Sequence, residues 1–162
     1  MAILILVTGG TFDKEYNELT GELFFKDTHL PEMLRLGRNL AQTRLVTLPM
    51  VDSLYMTDEY RNELVLKCNE AAEENIIITH GTDTMAETAS FLDKAVSGKT
   101  VVLTGAMVPY KFGSSDGLFN LGSAMAFVQT LPAGVYVAMN GSCFTAGRVR
   151  KNKQTGVFER VV

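Results

Sequence analysis

Residues 2–7 read Ala-Ile-Leu-Ile-Leu-Val, an unbroken apolar run rich in branched side chains and halted at once by Gly9-Gly10. A run so short and so uniformly apolar predicts a strand with both faces covered, the kind that lies inside a parallel sheet. Residues 44–48, 75–79 around Ile76-Ile77-Ile78, and 100–104 around Val101-Val102-Leu103 have the same character, and 135–139 is a fifth candidate. Between these runs the apolar spacing changes to that of a helix. Pro31 opens a segment running to Ala41, and Thr57-Asp58 precedes Tyr60, Leu64, Cys68 and Ala71 on one face. Met85, Ala89, Leu92 and Val96 step along a third helix with Gly98 as its stop, and a fourth begins near Ser115-Asp116 with Leu121, Met125 and Val128 inward. Buried strands alternating with amphipathic helices predict right-handed crossovers. The expectation is a three-layer α/β/α, doubly wound (Rossmann-like) fold with a mainly parallel sheet, formed by residues 1–162 as one domain. Segment 9–30 fits neither period and has the length of a lid.

Composition narrows the function classes. A net charge of −3, with Lys and Arg scattered, provides no footprint for nucleic acid or an anionic membrane surface. The one basic cluster is Arg148, Arg150, Lys151 and Lys153. Cys68 and Cys143 lack metal spacing and read as small buried hydrophobes of a reducing compartment. The N-terminal apolar run is too short for a span and lacks a basic flank, so a cytoplasmic protein is expected.

In an open parallel sheet ligands bind beyond the carboxyl ends of the strands. Those ends repeat a theme: Thr8-Gly9-Gly10-Thr11, then Thr79-His80-Gly81-Thr82-Asp83, then Thr104-Gly105-Ala106-Met107. Each has a glycine where backbone must turn or approach closely, and two follow it with a threonine hydroxyl. Gly9-Gly10 lacks the glycine spacing of a dinucleotide fingerprint, and no Gly-Lys-Ser or Gly-Lys-Thr marks a phosphate loop. His29 and His80 have no second ligand at metal spacing, and no Gly-x-Ser-x-Gly occurs. No metal or organic cofactor is expected.

Taken together, TGGTF at 8–12 and HGTDTM at 80–85 resemble the signature segments of the L-asparaginase family of amidohydrolases. The likeness extends through Glu87-Thr88-Ala89, Phe91-Leu92-Asp93, Thr104-Gly105-Ala106-Met107, Ser115-Asp116-Gly117 and Asn120-Leu121, from residue 3 to about residue 150. It implies that Thr11 is the attacking nucleophile and that Tyr16 helps activate it. Thr82 matches the second essential threonine, accompanied by Asp83 and a lysine, with Asp83 also receiving the substrate's α-ammonium. Ser53 matches the serine that binds the α-carboxylate, and the backbone at Gly10, Gly81 and Ala106 lines the substrate. Lys151 takes the lysine position after a one-residue gap following Gly147-Arg148, with Lys153 as the alternative. Physically, a threonine hydroxyl is a weak nucleophile at neutral pH and needs a base or a polarising neighbour. A Lys-Asp-Thr chain provides one, while loop N–H groups receive the oxyanion.

The resemblance thus implies hydrolysis of L-asparagine or a related small amide to ammonia and a carboxylate. Two departures bear on that expectation: Val108 stands where an arginine often follows Gly-Ala-Met, and Val162 falls where typical members continue into a second domain. Alternatives are an amino-acid-binding regulatory module with reduced turnover and an amidase subunit of a larger amidotransferase. A homodimer or homotetramer is expected, since a family domain without its second half exposes apolar surface.

Overall fold

The computed structural model describes residues 1–162. Its first element, strand β1 (Ile3–Gly9), is buried at every position, as the apolar run predicts. In chain order there follow β2 (Lys14–Asn17), β3 (Glu22–Phe25), helix α1 (Leu30–Leu36), β4 (Thr43–Val51), α2 (Asp58–Glu70), β5 (Asn75–Thr79), α3 (Met85–Asp93) and β6 (Thr100–Thr104). The chain closes with α4 (Gly117–Thr130), β7 (Gly134–Met139), β8 (Ser142–Thr145), β9 (Val149–Lys151) and β10 (Phe158–Arg160). No helix is long and apolar enough to cross a membrane.

The main sheet has the order β4-β1-β5-β6-β7-β8, parallel except for β8, which pairs antiparallel with β7. From β1 the chain first moves outward to β4, then returns past β1 to β5 and continues the other way. The strand order therefore reverses between β1 and β5, the switch point at which doubly wound sheets bind ligands. Register sharpens this placement. Val7 pairs with Thr79, and Thr79 pairs with Thr104, so the three glycine-bearing turns leave the sheet at the same level. Thr8 donates its hydroxyl to the Thr79 carbonyl at 2.7 Å, and His80 N–H reaches the Thr104 carbonyl at 2.9 Å, tying neighbouring strand ends together.

Side-chain alternation divides the core into two apolar clusters, one per face. Leu4, Leu6, Ile76, Ile78, Val101 and Leu103 meet Leu64 and Cys68 of α2 and Met85, Ala89 and Leu92 of α3. Ile3, Ile5, Ile77 and Val102 meet Leu30 and Met33 of α1 and Leu121, Ala124 and Val128 of α4. This confirms three layers but corrects the expectation that all crossovers share one hand. The β5-to-β6 and β6-to-β7 connections advance in the same direction, yet α3 and α4 lie on opposite faces. The β6-α4-β7 unit therefore has the opposite hand to the other three, the rare left hand when those follow the rule. Asp116 and Asn120 hold this unusual connection. The Asp116 carboxylate accepts from Met107 and Val108 N–H at 3.0 Å, and Asn120 donates to the Gly105 carbonyl at 2.9 Å.

Other differences from the pattern have local causes. Strand β4 is an edge, so only Leu48 on it is fully buried although its sequence resembles that of a central strand. Helix α1 stops at Leu36 rather than at Ala41, because Gly37 N–H closes on the Met33 carbonyl and Arg38 adopts a left-handed φ of 53°. Helix α3 stops at Asp93, but Val96 N–H still bonds to the Leu92 carbonyl, which keeps Val96 packed on the core. Segment 9–30 resolves into a short 3-10 turn, Thr11–Asp13, followed by the β2–β3 hairpin.

Candidate active site

The site begins with backbone meeting backbone. At Gly10 (φ +76) a Cβ would fall 2.5 Å from Gly81 Cα, and at Gly105 it would overlap the His80 carbonyl oxygen. No side chain fits at either position, so the turns after β1, β5 and β6 press directly on one another. Thr11 and Thr82 each follow the Gly10–Gly81 contact by one residue. The two hydroxyl-bearing residues singled out from sequence therefore share one rim of the sheet.

Around Thr82 the polar groups are tightly ordered. Lys151 Nζ donates to Thr82 Oγ1 and to Asp83 Oδ1, both at 2.8 Å. The lysine side chain is 11% exposed and that of Asp83 39%, so the ammonium is enclosed while the carboxylate keeps one side toward solvent. Lys153 makes neither contact, so of the two candidates Lys151 is the one brought to Thr82 and Asp83. Its position comes from the β9–β10 hairpin, pinned to the core by buried Val149 and Phe158 and by Phe158 N–H donating to Asn140 Oδ1 at 2.9 Å. Thr82 Oγ1 also lies 3.6 Å from Met107 Sδ. Thr11, by contrast, sits half-buried in its 3-10 turn and makes no side-chain hydrogen bond, leaving its hydroxyl free for a ligand.

Ser53 is buried against Gly81, where an added Cβ would come within 2.6 Å of Ser53 Oγ. Its hydroxyl accepts from Thr84 N–H at 3.4 Å and its carbonyl accepts from Thr84 Oγ1 at 2.8 Å. Next to it, Asp52 accepts from Lys14 Nζ at 2.5 Å, which staples the Ser53 turn to the β2–β3 hairpin. Partial burial opposes ionisation of Asp52, but the Lys14 ammonium and the Leu54 N–H prevail and hold its carboxyl below the usual range. Ala106 is buried beneath the rim, its Cβ next to Gly117. Tyr16 is the residue the structure does not bring in. It is 54% exposed on the hairpin, its ring stands edge-on to Phe112 at 6.5 Å, and its hydroxyl bonds to neither threonine.

Two open cavities, of about 640 and 510 Å³, meet at Asp83, Lys151 and Lys153. The smaller is bounded by Leu54 and Met107, the larger spreads toward α2 and α3, and neither Thr11 nor Thr82 is among the residues that line them. No group of three His, Cys, Asp or Glu side chains is placed to hold a metal ion. Reasoning from sequence missed the role of His80, treating it only as a histidine without a metal partner. In the structure it is completely buried behind Gly81. Burial pushes its imidazole down to about 4, an effect that the Gly81 carbonyl opposes and the Arg61 charge reinforces.

A doubly wound α/β sheet with hydroxyl, ammonium and carboxylate groups gathered at its switch point is the class that fold and crevice define. Within that class the chain belongs to the asparaginase family, matching the family Asparaginase, N-terminal over residues 2–159. It is 37% identical to the probable periplasmic L-asparaginase of Haemophilus influenzae, covering 96% of this chain and 47% of that protein. It is 33% identical to the glutaminase-asparaginase of Acinetobacter glutaminasificans, over 92% of this chain and 49% of that one. The crystal structure of a probable cytoplasmic L-asparaginase from Campylobacter jejuni superposes with a TM-score of 0.84 at 34% identity, covering 98% of this chain and 52% of the other. The chain thus spans about half the length of the relatives it matches.

Two outcomes are expected from this geometry. Gly10→Ala forces a methyl into the Gly81 backbone and should cost on the order of 1–3 kcal/mol in urea denaturation. The depressed His80 pKa means that the unfolded chain takes up a proton between pH 6.5 and about 4 that the folded chain refuses. Stability should therefore fall as pH drops through that window, by up to about 3 kcal/mol from this group, and NMR should find the His80 ring still neutral at pH 5.

Proposed function

We propose that residues 1–162 form one asparaginase N-terminal-type domain that hydrolyses L-asparagine or a related small amide to ammonia and a carboxylate. The observation that carries this reading is the Lys151 ammonium bridging Thr82 and Asp83 at 2.8 Å beside the Gly10–Gly81 contact. Family membership and the names of the relatives support it, and the glutaminase-asparaginase among them keeps glutamine within the substrate class.

In this reading Thr11 Oγ1 attacks the amide carbon, its proton passes to the departing nitrogen, the C–N bond breaks and ammonia leaves. A water then attacks the acyl-threonine ester, restoring the Thr11 hydroxyl and releasing the carboxylate. The unpaired Thr11 hydroxyl suits the nucleophile. Thr82 is polarised by the adjacent ammonium, and Lys151 with Asp83 provides the neighbouring charge a weak hydroxyl nucleophile requires. The half-exposed Asp83 oxygen receives the α-ammonium, and Ser53 receives the α-carboxylate. Backbone groups at Gly10, Gly81 and Ala106 line the bound amide, with a loop N–H taking the developing oxyanion. Tyr16 reaches the nucleophile only if the hairpin closes over bound substrate, consistent with its position on the segment that follows Thr11.

The reading extends to a cytoplasmic homodimer or homotetramer. Support comes from the buried free thiol of Cys68 and from the large apolar side chains left exposed on segments that follow the site strands, including Leu23, Phe24, Leu54, Tyr55 and Phe112.

Thr11→Val and Thr82→Val should each reduce ammonia release by about 10³-fold or more with the fold intact, and Lys151→Met by on the order of 10²–10⁴-fold. Full activity in Thr11→Val or Thr82→Val overturns the assignment. Calorimetric binding of aspartate with no ammonia release from asparagine, glutamine or other amides would instead identify an amino-acid-binding module. Light scattering should report a dimer or tetramer, and a monomer at micromolar concentration contradicts the proposed assembly.

A further inference from the structure

Behind the Thr82 turn, on the α2–α3 face, lies a line of polar side chains that the reaction does not use. Arg61 of α2 donates from Nε to Thr88 Oγ1 of α3 at 2.9 Å, and from an Nη nitrogen to Asp58 at 3.0 Å. Thr88 Oγ1 is 2.8 Å from His80 Nε2, and His80 Nδ1 is 2.7 Å from the Gly81 carbonyl oxygen. Thr88 and His80 are wholly buried, and the Arg61 side chain is 11% exposed.

Donor and acceptor capacities favour one arrangement. A guanidinium N–H can only donate, so Thr88 Oγ1 accepts from Arg61. The single hydroxyl proton of Thr88 has two acceptors in reach, His80 Nε2 at 2.8 Å and the weaker Met56 Sδ at 3.6 Å, and goes to Nε2. The neutral ring therefore carries its proton on Nδ1 and donates it to the Gly81 carbonyl. The other tautomer would set an Nδ1 lone pair against a carbonyl oxygen at 2.7 Å, two acceptors facing each other in a buried site. Met56 Sδ, 3.0 Å from Nε2, is a weak acceptor that by itself favours the other tautomer; the Gly81 carbonyl oxygen at 2.7 Å is the stronger acceptor and holds the proton on Nδ1.

We infer that Arg61, Thr88 and His80 are positioning residues: a directional relay that fixes the Gly81–Thr82 peptide plane and so aims the Thr82 hydroxyl. Its effect on turnover rests on the amidohydrolase reading above; its structural content does not. The charge on Arg61 strengthens each successive bond by polarising the next donor. Gly81 is the point of delivery. Its amide nitrogen and Cα abut Gly10, so the carbonyl that the relay holds belongs to the same residue that joins the two threonine turns. Lys151 fixes Thr82 from the solvent side, and the relay fixes it from the core side. Placing the hydroxyl with that precision matters because small displacements of a reacting group carry large rate penalties.

Thr88→Val keeps the shape and removes the hydroxyl, whereas Thr88→Ser keeps the hydroxyl. In the full chain, imidazole ¹⁵N NMR should show His80 protonated on Nδ1 in the wild type and in Thr88→Ser. In Thr88→Val the Nε2 resonance should move as its hydrogen bond is lost, with the Thr82 amide resonance shifted. Ammonia release should follow the same pattern: kcat lower by about tenfold or more in Thr88→Val with KM within twofold, and near wild-type in Thr88→Ser. A wild-type His80 protonated on Nε2 overturns the relay by itself, and so does a Thr88→Val protein with unchanged ring and Thr82 resonances. Should the wild type release ammonia from no amide, the proposed function fails, while the ring and amide resonances still decide whether the relay exists.

Discussion

The structure depends on one contact made without side chains. Gly10 and Gly81 touch backbone to backbone, and Gly105 presses on the carbonyl of His80 one strand further along. Only because these positions lack a Cβ can three turns leaving adjacent parallel strands close into a single surface. The register that levels Val7, Thr79 and Thr104 brings the turns to the same height, and the glycines remove what would otherwise hold them apart. Everything chemical is then placed by chain continuity: Thr11 one residue beyond one side of the contact, Thr82 one residue beyond the other.

Around that contact the molecule arranges charge by depth. Lys151, on a hairpin outside the main sheet, is brought back to the turn after β5 and enclosed there between an oxygen of Thr82 and one of Asp83. Lys14 and Asp52 pair at the other margin, joining the β2–β3 hairpin to the turn that holds Ser53. Deeper in, where an ion would be costly to bury, the ring of His80 stays neutral, and the cation of Arg61 reaches outward to Asp58, a largely exposed carboxylate. Charge near the crevice and neutrality in the core are two answers to the same solvation cost.

The odd-handed crossover through α4 belongs to the same design. It carries the chain from β6 across the rim on the face opposite α3, leaving the α3 side of Gly81 to Thr88 and Arg61 while α4 covers the other cluster. Such a path loses the usual advantage of right-handed packing. Local compensation is visible in the Asp116 carboxylate, which gathers the Met107 and Val108 amides, and in Asn120, which ties Gly105 to Asn140.

Much of this was legible in the residues themselves. Continuous apolar runs such as 75–79 and 100–104 can only be strands covered on both faces, and the stepping of Met85, Ala89 and Leu92 can only be a helix against them. Glycine followed by threonine at two strand ends pointed to the crevice and to Thr11, Thr82 and Asp83. Periodicity is a local property, so it reports what each segment buries but not against which partner. It could not reveal that β4 lies at an edge, that α4 crosses to the opposite face, or that Tyr16 turns toward Phe112. Nor could spacing choose between Lys151 and Lys153, or show that a histidine without a metal partner serves the Gly81 carbonyl. Those facts are set by distances between groups far apart in the chain, such as Lys151 and Thr82 or Arg61 and His80. The amino-acid sequence determined the elements and the chemical groups at their ends; the tertiary structure alone decided which groups meet, because packing joins surfaces that no local pattern encodes.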